Sequence, residues 1–154
     1  MIAAVPRANV VIDAAKRLNV YWDRWLQTIV TALNLTAQQI GTVTLTGQHA
    51  TIATTAIPTP TLTAGLYRLS YTMRVTTVGS VSSSLTPTFG WTSGGVACSQ
   101  AGAALTGNLT TSQQNGTLVL KVDAGTTVSY ALLYASNAAD SMLFTVDIRL
   151  AALP

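Results

Sequence analysis

The hydrophobic rhythm of this chain changes once. Up to Asn34 the apolar positions recur at helical spacing, and from Thr42 onward they alternate with polar ones. In the first part Leu18, Trp22, Trp25, Ile29 and Leu33 are spaced by 4, 3, 4 and 4 residues, which puts them on one stripe of a helix over 8–34. Pro6 suits a position at or just before the helix start, where its missing N–H costs nothing. Tyr21, Leu26 and Val30 fall beside or behind the stripe, so more than half of the girth is apolar. A helix packed on one sheet face needs a single stripe. A wider apolar girth predicts burial by several neighbours, in a bundle between identical subunits or in a groove of another protein. The alternative is that the helix folds back onto its own chain. Leu18, Tyr21, Trp22, Trp25, Leu26, Ile29 and Leu33 are the candidate oligomerisation or anchoring residues.

The second part predicts short strands. A connector, LTAQQIGT, leads to strands over 42–46 and 50–57, with a turn at Gly47 and Gln48, and then to a proline-broken loop, PTPTLTAG. The clearest strand covers 65–78, with Tyr67, Leu69, Tyr71, Met73 and Val75 on one side and Arg68, Ser70, Thr72, Arg74 and Thr76 on the other. That is a half-buried antiparallel strand with one wet face. In 85–91, Leu85, Pro87, Phe89 and Trp91 share a side, and Pro87 points to an edge or a strand start. Weaker strands are expected over 96–100 and 105–112. Asn115-Gly116 reads as a hairpin turn opening a strand over 115–122, with Leu118, Leu120 and Val122 together. Strands over 127–135 and 141–150 follow. They turn inward Val128, Tyr130, Leu132 and Tyr134, then Met142, Phe144, Val146, Ile148 and Leu150, leaving Thr145, Asp147 and Arg149 outward. Turn signals every 8–12 residues between eight or nine strands predict a mostly β protein. The expected architecture is an antiparallel, jelly-roll-like β-sandwich of about eight strands over 41–154, preceded by an α-helical segment in 1–40.

Composition narrows the function. The 154 residues are 49% hydrophobic and 8% charged, far below the roughly 25% charged of an average domain. There is no glutamate, and 25 threonines suit the outward positions of strands. Such a surface suits a protein packed among neighbours or facing a harsh exterior. The net charge of +3 is spread without a basic stripe, which argues against nucleic-acid binding. No apolar run reaches the length of a membrane span, and the N-terminus lacks the apolar core of a secretion signal. One cysteine, Cys98, excludes an intrachain disulfide and reads as a small buried hydrophobe.

Catalytic chemistry finds little material. His49, in an expected turn, is the one histidine, and the five aspartates sit in no motif for a metal, a nucleophile–base pair or paired carboxylates. No cofactor is implied, and the Ser-Gly-Gly of 93–95 lacks phosphate-loop spacing. The Asn-x-Thr triplets at 34, 108 and 115 are what a threonine-rich chain produces by chance. Tyr67, Tyr71, Tyr130, Tyr134 and Trp91 either line a sugar-stacking face or form core, and their inward parity favours core. The outward Arg68 and Arg74 either pair with a neighbouring strand or subunit or are ordinary surface.

The segment W-D-R-W-L-Q-T-I-V-x-A-L, followed by AGLYRLSYTMRVTT, LTPTFGWTSGG, NGTLVLKVDAGTTVSYALLYAS and MLFTVDIRLAAL, resembles small virion proteins of tailed bacteriophages across residues 18–150. The resemblance implies a helix that anchors or trimerises the chain and a projecting jelly-roll head. It implies a homotrimeric fibre, spike or decoration subunit on the head, neck or tail of a virion, contacting other virion proteins and having no enzymatic activity. A glycan-binding sandwich that meets a host surface is the competing expectation; a small hydrolase is a third.

Overall fold

Nine strands account for most of the residues from Gln38 to the C-terminus. A computed structural model of the chain describes residue 25, residues 38–136 and residues 142–154. The strands are β1 (Gln38–Gln48), β2 (Ile52–Ala56), β3 (Gly65–Thr77), β4 (Ser83–Ser93), β5 (Val96–Ala101), β6 (Leu105–Gly107), β7 (Gln113–Val122), β8 (Ser129–Ala135) and β9 (Leu143–Ala152). They form two antiparallel sheets. The first, sheet A, runs β1-β9-β3-β7. The second, sheet B, runs β2-β8-β4-β5, with β6 also pairing β4.

Strand parity explains how the two sheets meet. The alternation over β3 is obeyed residue by residue: Tyr67, Leu69, Tyr71, Met73 and Val75 are buried, while Arg68, Thr72 and Arg74 are exposed. The same holds in β9, where Phe144, Val146, Ile148 and Leu150 are fully buried and Arg149 is exposed. Leu85 and Phe89 of β4 and Tyr130 and Leu132 of β8 bring the matching apolar side of sheet B. One continuous core results, and aromatic pairs cross it. Tyr71 meets Phe89 with ring centroids 5.3 Å apart, and Tyr134 meets Phe144 edge-on at 5.6 Å. Both separations lie in the favourable range for tilted aromatic pairs.

Tyr71 acts as a strut between the sheets. Its hydroxyl accepts a hydrogen bond of 2.9 Å from the backbone N–H of Ala103, in the link between β5 and β6. Its ring lies so close over Gly116 that a Cβ there would sit 2.5 Å from ring atoms. This corrects the hairpin expected at Asn115-Gly116. Those residues lie inside β7, opposite Thr72 and Tyr71. The glycine is required by the ring above it, not by a turn.

Other elements also differ from expectation. β1 begins at Gln38, so part of the expected connector is strand, and it pairs β9 across two register shifts. Gly47, in the left-handed region at φ 63°, lies within the second of these shifts. Pro87 is not at an edge: it sits mid-way along β4, which has neighbours on both sides. β5 ends opposite Thr88 and β6 begins opposite Leu85, so the side of β4 facing them is interrupted at Pro87. The Pro87 carbonyl accepts from Gly102 N–H at 2.8 Å, in that interruption. A residue's N–H and C=O point to the same side of an antiparallel strand, so the donor that proline lacks is one no strand demands there.

Of the expected front helix, the structure describes Trp25, which is helical and half-buried. Leu18, Tyr21, Trp22, Leu26, Ile29 and Leu33 lie outside the described residues.

Candidate functional site

The charges of the described residues from Gln38 onward gather, all but one, on one surface. There are six: Arg68, Arg74, Lys121, Asp123, Asp147 and Arg149. Five are in strands, all of sheet A and all on its outer side. The strands of sheet B carry no charged residue.

Register turns the outer side of sheet A into a grid. One row reads Thr42, Arg149, Ser70 and Thr117 across β1, β9, β3 and β7. The next reads Thr44, Asp147, Thr72 and Asn115. A third brings together Thr145, Arg74 and Gln113. All eleven are polar. The short side chains of Ser70 and Thr72 lie between longer ones, so the surface sinks there. A depression of about 370 Å³ is lined by Ser70, Tyr71, Thr72, Asp147 and Arg149. A second, of about 260 Å³, is lined by Thr72, Arg74, Gln113, Thr145 and Asp147. Thr72 and Asp147 belong to both, so the two adjoin as one trough with an arginine at each end. Asp147 Oδ1 accepts from the Thr44 hydroxyl at 2.8 Å. Among the described residues neither arginine forms an ion pair with Asp147.

The outer side of sheet B is its opposite. Ser84, Thr86, Thr88, Gly90 and Thr92 of β4 lie beside Ala131, Leu133 and Ala135 of β8 and beside Ala97, Ser99 and Ala101 of β5. Leu133 is 61% exposed amid these small side chains. The β4–β5 hairpin at the end of this sheet closes through Gly94 and Gly95, at φ 61° and 76°, both in the left-handed region that a two-residue turn of this hand needs. Asp123 clips the turn: its two carboxylate oxygens accept from the N–H groups of Gly94 and Gly95 at 2.9 and 2.7 Å. These bonds, Gly95 first, hold the Asp123 carboxyl below its ordinary value, with a smaller contribution from the nearby Lys121 charge.

The remaining sequence candidates separate. Tyr67, Tyr71 and Tyr130 are buried, and Tyr134 and Trp91 pack partly buried against the core. None of the three buried rings is presented to a sugar. His49 is exposed after β1, its Nδ1 3.3 Å from the Gly47 carbonyl, and among the described residues no nucleophile is joined to it. Cys98 is half-buried on edge strand β5, opposite Trp91, rather than fully in the core. The Asn108 side chain is taken up by both the N–H and the C=O of Gly79, at 2.8 and 2.6 Å, so that Asn-x-Thr triplet has a structural task. Among the described residues no group of three His, Cys, Asp or Glu side chains comes close enough to hold a metal. The trough was not visible in the sequence as a site. Its outward residues were identifiable by parity, but the register that makes β3, β7 and β9 neighbours was not.

No protein-family model matches this chain, and no curated protein matches it.

Proposed function

We propose that the chain is a non-enzymatic structural subunit of a bacteriophage particle. It acts as a homotrimeric fibre, spike or decoration protein, held to the head, neck or tail through residues 1–40. The observation that carries the reading is the division of charge between the two sheets. A face without charge, formed of Ala, Thr, Ser and Gly around the exposed Leu133, suits burial against identical chains, because no ion must be desolvated. The charged face of sheet A then remains toward the outside. Strand order adds support. Eight strands arranged β1-β9-β3-β7 and β2-β8-β4-β5 follow jelly-roll order, with nearly every connection crossing between sheets and β6 as a short addition. Four strands of about seven residues cover roughly 19 by 24 Å. That is less than the roughly 800 Å² per partner of a standard interface, which leaves a share for the apolar residues of 18–33.

Sedimentation equilibrium of the full chain tests this reading. Three times the 16.1 kDa chain mass is expected. A compact monomer, equally stable after removal of residues 1–36, overturns it.

A second reading has its own observation. The trough on sheet A presents hydroxyls, an amide, two arginines and a carboxylate at one place, which suits recognition of a polar ligand on a surface that the particle meets. A head of this kind performs both tasks: one face assembles and the other recognises.

A further inference from the structure

We propose that the trough on the outer side of sheet A binds an acidic saccharide chain, with Arg149 and Arg74 taking its carboxylate groups and Thr72, Asp147 and Gln113 its hydroxyls. The proposal rests on the recognition reading above and gives it a ligand class and residues; it is independent of trimer formation.

Three features of the trough select this ligand. The first is size and shape. Two adjoining depressions of about 370 and 260 Å³ form an open channel, suited to a linear chain of a few sugar rings rather than to an enclosed small molecule. The second is the order of charges. Arg149 lies opposite Ser70, and Arg74 lies four residues further along β3. At about 3.4 Å per residue and 4.8 Å between strands, their Cα atoms are roughly 14 Å apart. A ligand that meets both guanidinium groups therefore carries its anionic groups apart, with neutral units between them. Guanidinium groups grip carboxylates in a two-bond fork, and neither is engaged by Asp147. The third is the middle of the trough. Asp147 spends Oδ1 on Thr44 and keeps Oδ2 for a donor, while Thr72 beside it offers both a donor and an acceptor, as does Gln113 level with Arg74. An alternation of donors and acceptors between two cations matches hydroxyls between acidic groups.

Other ligands fit less well. A nucleic-acid backbone presents a phosphate at every step and would meet the Asp147 carboxylate between the arginines, with no exposed aromatic ring in the trough for its bases. A protein partner needs an apolar anchor at the centre of its contact, and the centre here is Thr72 and Asp147.

The test is calorimetric titration of the full chain with a hyaluronan tetrasaccharide, which carries a carboxylate on every second sugar, with maltotetraose as the neutral counterpart and inorganic phosphate as the simple anion. The hyaluronan tetrasaccharide is expected to bind, with at least tenfold preference over both. Arg74→Ala and Arg149→Ala should each weaken it about tenfold, as expected for loss of a charge-assisted bond. Thr72→Trp, which fills the floor of the trough, should abolish it. Lys121→Ala, on the same face but outside the trough, should leave it within twofold. Unchanged melting temperatures would show that each variant is folded. The proposal is overturned if the hyaluronan tetrasaccharide does not bind, if maltotetraose or phosphate binds as tightly, or if Lys121→Ala weakens binding as much as Arg74→Ala. A glycan array separates the two levels. Binding of some glycan that Thr72→Trp does not disturb would keep the recognition reading and remove this site; a blank array would remove both.

Discussion

The two sheets of this domain solve the same problem differently. Sheet A is built of long, evenly registered strands: β3 pairs β7 through ten consecutive residues and β9 through nearly as many. It carries its charges on its outer side. Sheet B is pieced together. β4 is flanked on one side by β8 and on the other by two short strands, with Pro87 at the interruption, and its outer side has no charge to hold water. The contrast shows that burial in this chain is specified twice. Parity decides what lies between the sheets, and under the assembly reading the distribution of charge decides which outer side meets a neighbour.

That contrast can be broken experimentally. The largest effect is expected from Thr88→Glu, which places a carboxylate in the middle of the sheet B face. Under the assembly reading it buries an unpaired charge at each contact, costing several kcal/mol. The sedimenting species should fall to a single chain, while Arg68→Glu on sheet A leaves the mass unchanged. Thr72→Pro should come next. It removes a ladder donor in the centre of sheet A and is expected to cost about 3 kcal/mol or more in urea unfolding, where sheet B already accommodates a proline. Tyr71→Phe keeps the ring over Gly116 and deletes the bond to Ala103, so that a partly buried N–H loses its partner. About 1–2 kcal/mol is expected, a melting shift of several degrees.

Asp123 supplies a pH test. Its folded-state value lies below the unfolded one, so its clip on Gly94 and Gly95 is fully present above the unfolded carboxyl value near 3.8 and is lost as pH falls through the lower folded value. Melting temperature should fall on acidification through that window, and Asp123→Asn should flatten this part of the profile. Smallest of all is Pro87→Ala, expected to cost about 0.4–1 kcal/mol through greater freedom of the unfolded chain.

The sequence made the interior legible because burial on one side of a strand leaves a period of two. Tyr67 through Val75 and Met142 through Leu150 are the residues that this period picks out. Where the period meets long-range demands, it fails. Asn115-Gly116 has turn chemistry, yet the ring of Tyr71 claims that glycine. Pro87 has edge chemistry, yet the break between β5 and β6 makes a central place for it. Cys98 has core chemistry but lies on an edge strand that leaves it half-covered. The trough was illegible for a related reason. Arg74 and Asp147 are on different strands, and only the pairing of β3 with β9 makes them neighbours.

That same pairing has a consequence for biosynthesis. β9 inserts between β1 and β3, and the hydrogen bond from Thr44 to Asp147 joins residues 103 apart in the chain. During translation, β1 emerges with no strand to receive it until β9 has been made. Non-local pairing of this kind folds slowly. Completion of sheet A therefore waits for β9, and without that strand β1 and the β3–β7 ladder would have nothing to join them.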